Sequence, residues 1–377
     1  MTAAGGRLKA HLEESVLPPI VALLIAALVG DVLILTFGQS PGEVYRLLVE
    51  GTWGNAYGFG QVLYKATTLA FTGLAVALAL RAGLFNIGAE SQLAAGGFLA
   101  AVVGLVLPAG LPALLTLPLY IVAAMLGGAV VGAVPGVLKS RFGAHEVITT
   151  IMLNFIVLAL LSYFVSTHLR VPETLHTPEI HGGALPRLSD ILSGFHGSAA
   201  NAVLIIALAV AALIWWYLFR TRRGFELRAV GLQPQAAEYG GVSVGGVWWR
   251  AMAVSGAIAG IGGLNYVLGY KHYYEEGFAS GAGFLGIAVA LVGRSHPLGV
   301  VLAALLFATI SQGGLAVNAL VPKQFVEVLQ AVVIIAVAVA VPEVRRLLRD
   351  VREPGTTTRA TVADPTAGPA RAAAGER

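Results

Sequence analysis

The chain has 377 residues, 57% of them hydrophobic and 12% charged, with a formal net charge of +4. Soluble domains carry about 25% charged residues, so this composition excludes a water-facing globular surface. The basic residues sit in short connectors between apolar runs, which speaks against a nucleic-acid-binding patch and for a membrane protein oriented by its loops. No cysteine is present, which excludes disulfides, thiolate metal sites and thiol nucleophiles.

A helix needs about 20 mostly apolar residues to cross the hydrocarbon core. Ten such runs follow one another, at about 17–37, 62–80, 84–107, 114–138, 147–168, 200–219, 248–270, 278–293, 297–316 and 324–341. The first follows MTAAGGRLKAHLEES and reads as a retained span, being too long for a signal core and lacking a small-residue cleavage site. The eighth, GFASGAGFLGIAVALVG, is short and Gly-rich and reads as a broken or partly re-entrant helix, tolerable only where protein covers its backbone.

Ten spans place both termini on one side. On that side fall 18 of the 24 Lys and Arg residues, against six on the other. The bias survives removal of the C-terminal tail and puts both termini in the cytoplasm. The expected fold is therefore all-α, a polytopic transmembrane bundle of about ten spans. Residues 1–16 form a cytoplasmic N-terminus and 17–341 the membrane domain, with a cytoplasmic loop at 220–247. Residues 342–377 form a cytoplasmic tail: EVRRLLRDVREP suggests a short interfacial helix, and the following Ala, Pro, Thr and Gly mixture cannot bury a core. The outer connector 169–199 is rich in Pro, His and Gly and assigns itself to no function.

Gly128, Gly132 and Gly136 lie four apart, as do Gly256 and Gly260. Small residues on one face let helices approach closely in lipid, and packing within one bundle is the plainer reading than a dimer seam.

Polar residues inside apolar runs are costly in a bilayer and mark either function or helix-locking hydrogen bonds. RAGLFNIGAESQLAAGG carries Asn86, Glu90, Ser91 and Gln92, with Asn86 and Glu90, four residues apart, on one helix face. Glu90 needs a partner, for which Arg81 is a candidate, or a water-filled cavity. Both a transport-path wall and a hydrogen-bond knot fit. In AHEVITTIMLNF, Glu146, Thr150 and Asn154 recur every four residues as a polar stripe. The helix dipole suffices to explain Glu146 at a helix start, whereas Asn154 is deeper. Asn265, Gln312 and Asn318 read as interhelical hydrogen-bond partners. Walls of Asn, Gln and Thr suit a neutral polar solute.

No GxxxxGK[ST] phosphate loop, HExxH zinc helix or GxSxG nucleophile elbow occurs, and His145 with Glu146 lacks a third ligand. If ATP drives transport, another chain must supply the ATPase. In RTRRGFELRAVGLQPQAAEYGGVSVGG, Gln233 to Tyr239 reads as a short helix with Pro234 at its start and Gly240 and Gly241 at its end. The arginines around it serve equally as positive-inside anchors.

Three motifs in order, GLFNIGAESQL at Gly83 to Leu93, GFELRAVGLQPQAAEYGGV at Gly224 to Val242 and GFLGIAVALVGRSHPLGVVLAALLF at Gly283 to Phe307, give the chain its resemblance to a known family. It resembles the permease subunits of ABC transporters for branched-chain amino acids, simple sugars and nucleosides. With FGAHEVITTIMLNF it is most similar to the nucleoside and simple-sugar branch. Ser91 stands where that family usually has glycine, and Pro172 to Pro186 follows none of its patterns.

The resemblance implies a multi-pass subunit of a bacterial importer in the inner membrane, with a second permease (a paralogue), a separate ABC ATPase and an extracellular solute-binding lipoprotein. ATP would be bound by the partner, leaving no cofactor in this chain. It further implies that Arg228, Gln233, Pro234, Ala236, Ala237 and Tyr239 couple to the ATPase, and that spans 2–5 and 7–10 are inverted halves. Asn86, Glu90, Gln92 and Asn154 are the expected pathway lining under alternating access. The rivals are a proton-coupled secondary transporter with Glu90 as carrier, a permease for another sugar or a branched-chain amino acid, and a non-transporting scaffold subunit.

Overall fold

The computed structural model describes residues 20–339 other than 109, 181, 184, 323, 325 and 338, with the side chain of 113 also left out. The expected N-terminal segment 1–16 and tail 342–377 lie outside the described residues.

Helix α1, Ile20–Thr36, bends by 112° into α2, Pro41–Thr52. Gly38 at φ +71° and Pro41 in the first turn of α2 make that corner. The sequence reading placed α2 in a connector because Glu43, Arg46 and Glu50 interrupt its apolar residues; it is an amphipathic helix resting on later elements. Next, α3 (Ala56–Arg81) is capped by Asn55, whose side chain accepts from the Gly58 N–H at 2.6 Å. The chain continues through α4 (Ala89–Val106), α5 (Ala113–Phe142) and α6 (Glu146–Phe164), which runs into a π turn at Val165–Leu169. A short α7 (Leu188–Ile191) lies in the outer connector, and α8 (Val203–Arg220) leads to the inner pair α9 (Arg222–Leu232) and α10 (Pro234–Tyr239). After these, α11 (Val244–Gly262) continues through α12 (Leu264–Tyr266) and a π turn to Lys271 as one span. Helices α13 (Ala282–Val292), α14 (Pro297–Ala316) and α15 (Val326–Val337) complete the bundle.

The fold is all-α, as expected, and each apolar run contains a helix among the described residues. The count of ten spans is not reached. Seven helices among the described residues are long and apolar enough to cross a membrane, or eight if α1 and α2 count as one bent span. Helix α13 falls short of a span: its 11 residues rise about 16 Å, roughly half the hydrocarbon core. Gly277 and Gly281, both at positive φ, break the chain just before α13, so the eighth run is the broken helix its glycines suggested. The third run also differs, because its helix begins at Ala89 and residues 84–88 form an irregular corner.

Helices α3 and α11 are the inner ones, with 78% and 83% of their apolar windows buried, whereas α5, α6 and α8 bury 28%, 17% and 28% and turn the rest outward. The inner helices exchange partners: α3 packs on α13 and α14, α11 on α4 and α5, and the two touch each other. The glycine stripes lie within this bundle. A Cβ on Gly128 would stand 2.0 Å from the Gly256 carbonyl oxygen, and one on Gly260 2.2 Å from that of Ala124.

Candidate functional site

At the corner between α3 and α4, Gly83 turns the chain with φ +72° and Asn86 is wholly buried. Asn86 Nδ2 donates to Gln92 Oε1 and to Ser255 Oγ, both at 2.8 Å, and its Oδ1 accepts from Gly88 N–H and Gln92 Nε2. Ser255 passes the contact on by donating to the Ala75 carbonyl on α3. Asn154, from the inward stripe of α6, accepts from Ser91 N–H at 3.2 Å and donates to the Ile87 carbonyl at 3.0 Å. The stripe reading holds: Glu146, Thr150 and Asn154, with Leu161, are the buried residues of α6. Asn86, however, lies before α4 and shares no helix face with Glu90, a correction that follows from the late start of the helix.

Glu90 occupies the first turn of α4 and reaches the start of α13. Its two carboxylate oxygens accept from Gly281 N–H at 2.7 Å and Gly283 N–H at 2.6 Å. A carboxylate there satisfies amide donors that a helix start leaves without intrahelical partners. Arg81 is not its partner. The guanidinium instead donates to the carbonyls of Ser295 and Arg294. Glu146 has, besides the helix start, a partner that sequence reading missed: Lys139 Nζ at 2.6 Å, returned by the α5–α6 turn at Gly143.

A cavity of about 760 Å³ lies between α3, α13, α14 and α15. Its wall carries Tyr64, Thr68, Tyr266, Phe278 and Phe284, with Glu327 and Gln330 from α15. Aromatic faces with a few polar groups are the usual make-up of a small-molecule site. None of Asn86, Glu90, Gln92 and Asn154 is among the lining residues. Only Glu90 is tied to it, by holding Gly281, which does line it. The aromatic wall escaped sequence reading, although Tyr64 and Thr68 near the start of an apolar run and the FASGAGF break were signals available in it. Asn265 is an interhelical partner as expected, bonding Tyr64 O, Thr68 Oγ1 and Asn201. Gln312 is buried and Asn318 exposed.

In the loop 220–247, Gln233 stands at the N-cap position of α10, Pro234 occupies its first position and Gly241 follows at φ +82°. Gln233, Pro234, Ala236 and Tyr239 are exposed, Tyr239 by 94%. Ala237 is packed inward, and the half-buried Arg228 lies 5.2 Å from the Phe219 ring centroid.

The connector 169–199 is zipped to the segment that follows the π turn at Lys271. Thr177 N–H bonds Tyr274 O, Ile180 N–H bonds His272 O, and Glu276 N–H bonds Leu175 O. Burial, and then the charge of Arg187, hold the His272 imidazole below its ordinary pKa. The unfolded chain then binds more protons than the folded one below the ordinary histidine value of about 6.5, so this contribution is present at neutral pH and lost as pH falls. His272→Gln should reduce the drop in thermal midpoint between neutral and acidic pH. An unchanged drop would remove His272 from that role.

Comparison with known proteins agrees with this architecture. Residues 58–338 match the family described as branched-chain amino acid transport system / permease component. A guanosine ABC transporter permease protein of Bacillus subtilis is 38% identical over 85% of this chain and 92% of its own length. A nucleoside ABC transporter permease protein of Lactococcus lactis subsp. cremoris is 36% identical over 86% and 91%. A glucose ABC transporter permease protein of Haloferax volcanii is 33% identical over 84% and 85%. No solved structure matches. A multi-pass helical bundle matched across 58–338, with relatives aligned over most of both chains, belongs to the permease family of branched-chain amino acid transport systems.

Proposed function

We propose that this chain is the membrane permease subunit of an ABC importer for a nucleoside or a simple sugar. The observation that carries the reading is the near full-length similarity to permeases named for guanosine, nucleosides and glucose. The cavity supports it, since aromatic rings beside Thr68 and Gln330, with Lys65 and Glu327 of opposite charge on the same wall, suit a flat or ring-shaped polar solute. Asn86, Gln92 and Asn154, with Glu90, are the pathway's polar cluster, and their hydrogen bonds set where α4, α6 and α13 stand in alternating access.

Energy enters from a separate ATPase that docks on α10 through Gln233, Pro234, Ala236 and Tyr239, while Ala237 and Arg228 seat the helix on its own chain. Both termini lie in the cytoplasm of a bacterial cell whose inner membrane holds the complex. A second permease, a paralogue of this one, and an extracellular binding lipoprotein complete it.

The test is uptake of labelled guanosine and glucose by cells carrying the whole complex, with copurification of the ATPase. Tyr239→Ala should cut the retained ATPase at least tenfold, the scale of a lost aromatic anchor. Uptake that collapses with an uncoupler but survives ATP depletion would instead establish the proton-coupled rival.

A further inference from the structure

We infer that Arg81 and Glu90 are positioning residues that clamp the two ends of α13, making this half-length helix the element through which the inner loop reaches the cavity. The inference rests on reading the chain as an ATP-driven permease.

Helix α13 forms part of the cavity wall with Ala282, Phe284, Leu285 and Ala288. It meets its neighbours through glycines. A Cβ on Gly283 would stand 2.2 Å from Glu90 N, one on Gly286 2.5 Å from Thr72 Oγ1, and one on Gly293 2.5 Å from Val300 N. These close contacts seat α13 on α3, where Val289 packs over Gly73 and Thr72 Oγ1 donates to Ala282 O at 3.1 Å, and charged side chains hold its two ends. At the N-terminal end, Glu90 takes the N–H groups of Gly281 and Gly283. Just past the C-terminal end, Arg81 Nε donates to Ser295 O at 3.0 Å and its Nη2 to Arg294 O at 3.4 Å. Carboxylate at the start and guanidinium at the end match both poles of the helix dipole. Arg294 and Ser295 themselves hold φ of 56° and 49°, a conformation unfavourable for non-glycine residues that this grip sustains.

The same corner touches the inner loop. A Cβ on Gly231, near the end of α9, would stand 2.2 Å from Arg81 O and 2.9 Å from Gly83 N. Arg81 and Arg228 both lie against the Phe219 ring, 5.8 and 5.2 Å from its centroid. His296, beside Ser295, tilts over the same ring at 5.5 Å. A displacement of α9 and α10 is therefore passed to Arg81, and from Arg81 to the end of α13.

This chain has no cysteine, so with the partner subunits' cysteines replaced a clean distance measurement can be made on the full complex. Spin labels at Leu291→Cys on α13 and Leu213→Cys on α8, both outward-facing, should report a shift between the nucleotide-free and ATP-bound states. Arg81→Gln and Glu90→Gln should abolish the shift and lower substrate-stimulated ATP hydrolysis about tenfold, without moving the half-saturating substrate concentration. Arg81→Lys and Glu90→Asp, which keep the charges, should restore part of both readouts, and they decide the matter if the glutamine variants fail to assemble. A parent complex whose labels stay still during ATP-driven uptake, or glutamine variants that shift as the parent does, would overturn the clamp. Nucleotide-dependent shifts in a complex that imports neither nucleoside nor sugar would sink the substrate reading and leave the clamp standing.

Discussion

Gly128→Val will prevent this protein from accumulating as a folded, monodisperse species. The added Cβ would sit 2.0 Å from the carbonyl oxygen of Gly256, and Gly256 in turn lies 2.2 Å, by the same construction, from the Gly128 carbonyl. Both obstacles are backbone, so no rotamer change relieves them. The helices must separate, and they make the tightest crossing in the bundle: Gly132 faces Met252 O and Gly260 faces Ala124 O at similar distances. Overpacking costs about 1–3 kcal/mol where side chains can yield; here the expected loss exceeds about 3 kcal/mol, a large share of a domain's stability. Gly42→Ala is the control, because its nearest neighbour is the Ser40 hydroxyl at 3.9 Å and alanine favours α2. Size-exclusion profiles and thermal denaturation in detergent measure both. A Gly128→Val protein that elutes and melts like the parent would refute the crossing.

Asn86→Ala will lower stability by about 2–4 kcal/mol, because it leaves the Gly88 N–H and both ends of the Gln92 amide buried without their partner. Ser255→Ala should cost less. Its hydroxyl also donates to Ala75 O, but that carbonyl retains its place in α3. The comparison also separates the two roles that the polar cluster could have. Were Asn86 chiefly a substrate ligand, alanine would abolish uptake while the melting temperature stayed within about a degree of the parent's. The geometry predicts the reverse order of effects: lost stability first, with lost uptake following from it.

The apolar runs, the Gly-rich break at 278–293 and the Pro234 helix were all legible in the chain, because each is a local property of length, hydropathy or turn chemistry. The stripe Glu146, Thr150 and Asn154 was legible too, since helical spacing alone puts the three on one face and lipid alone dictates that the face turns inward. Asn86 was misplaced onto a helix because residues 84–88 are as apolar as the span they precede, and only the packing of Gly83 against Gly231 shows the corner. Arg81 is near Glu90 in sequence, which made it the natural partner, yet each side chain reaches across to a different end of α13. Helix α2 was missed for a similar reason: its polar residues mask an apolar face that has meaning only once α14 lies against it.

By itself the sequence determined a helical membrane protein without its own phosphate loop or metal helix, with polar residues where a bilayer makes them costly and with the motifs of a permease family. Those are one-dimensional properties: hydropathy over about 20 residues, spacing along a helix, and short motifs. The tertiary structure decided which runs form helices long enough to span, which glycines face which backbone, that Glu90 holds Gly281 at the cavity edge, and that aromatic residues from α3 and the segments around α12 and α13 form the cavity wall. These depend on contacts between residues some 200 positions apart, such as Glu90 with Gly281 and Arg81 with Ser295. The spacing along the chain carries no record of them.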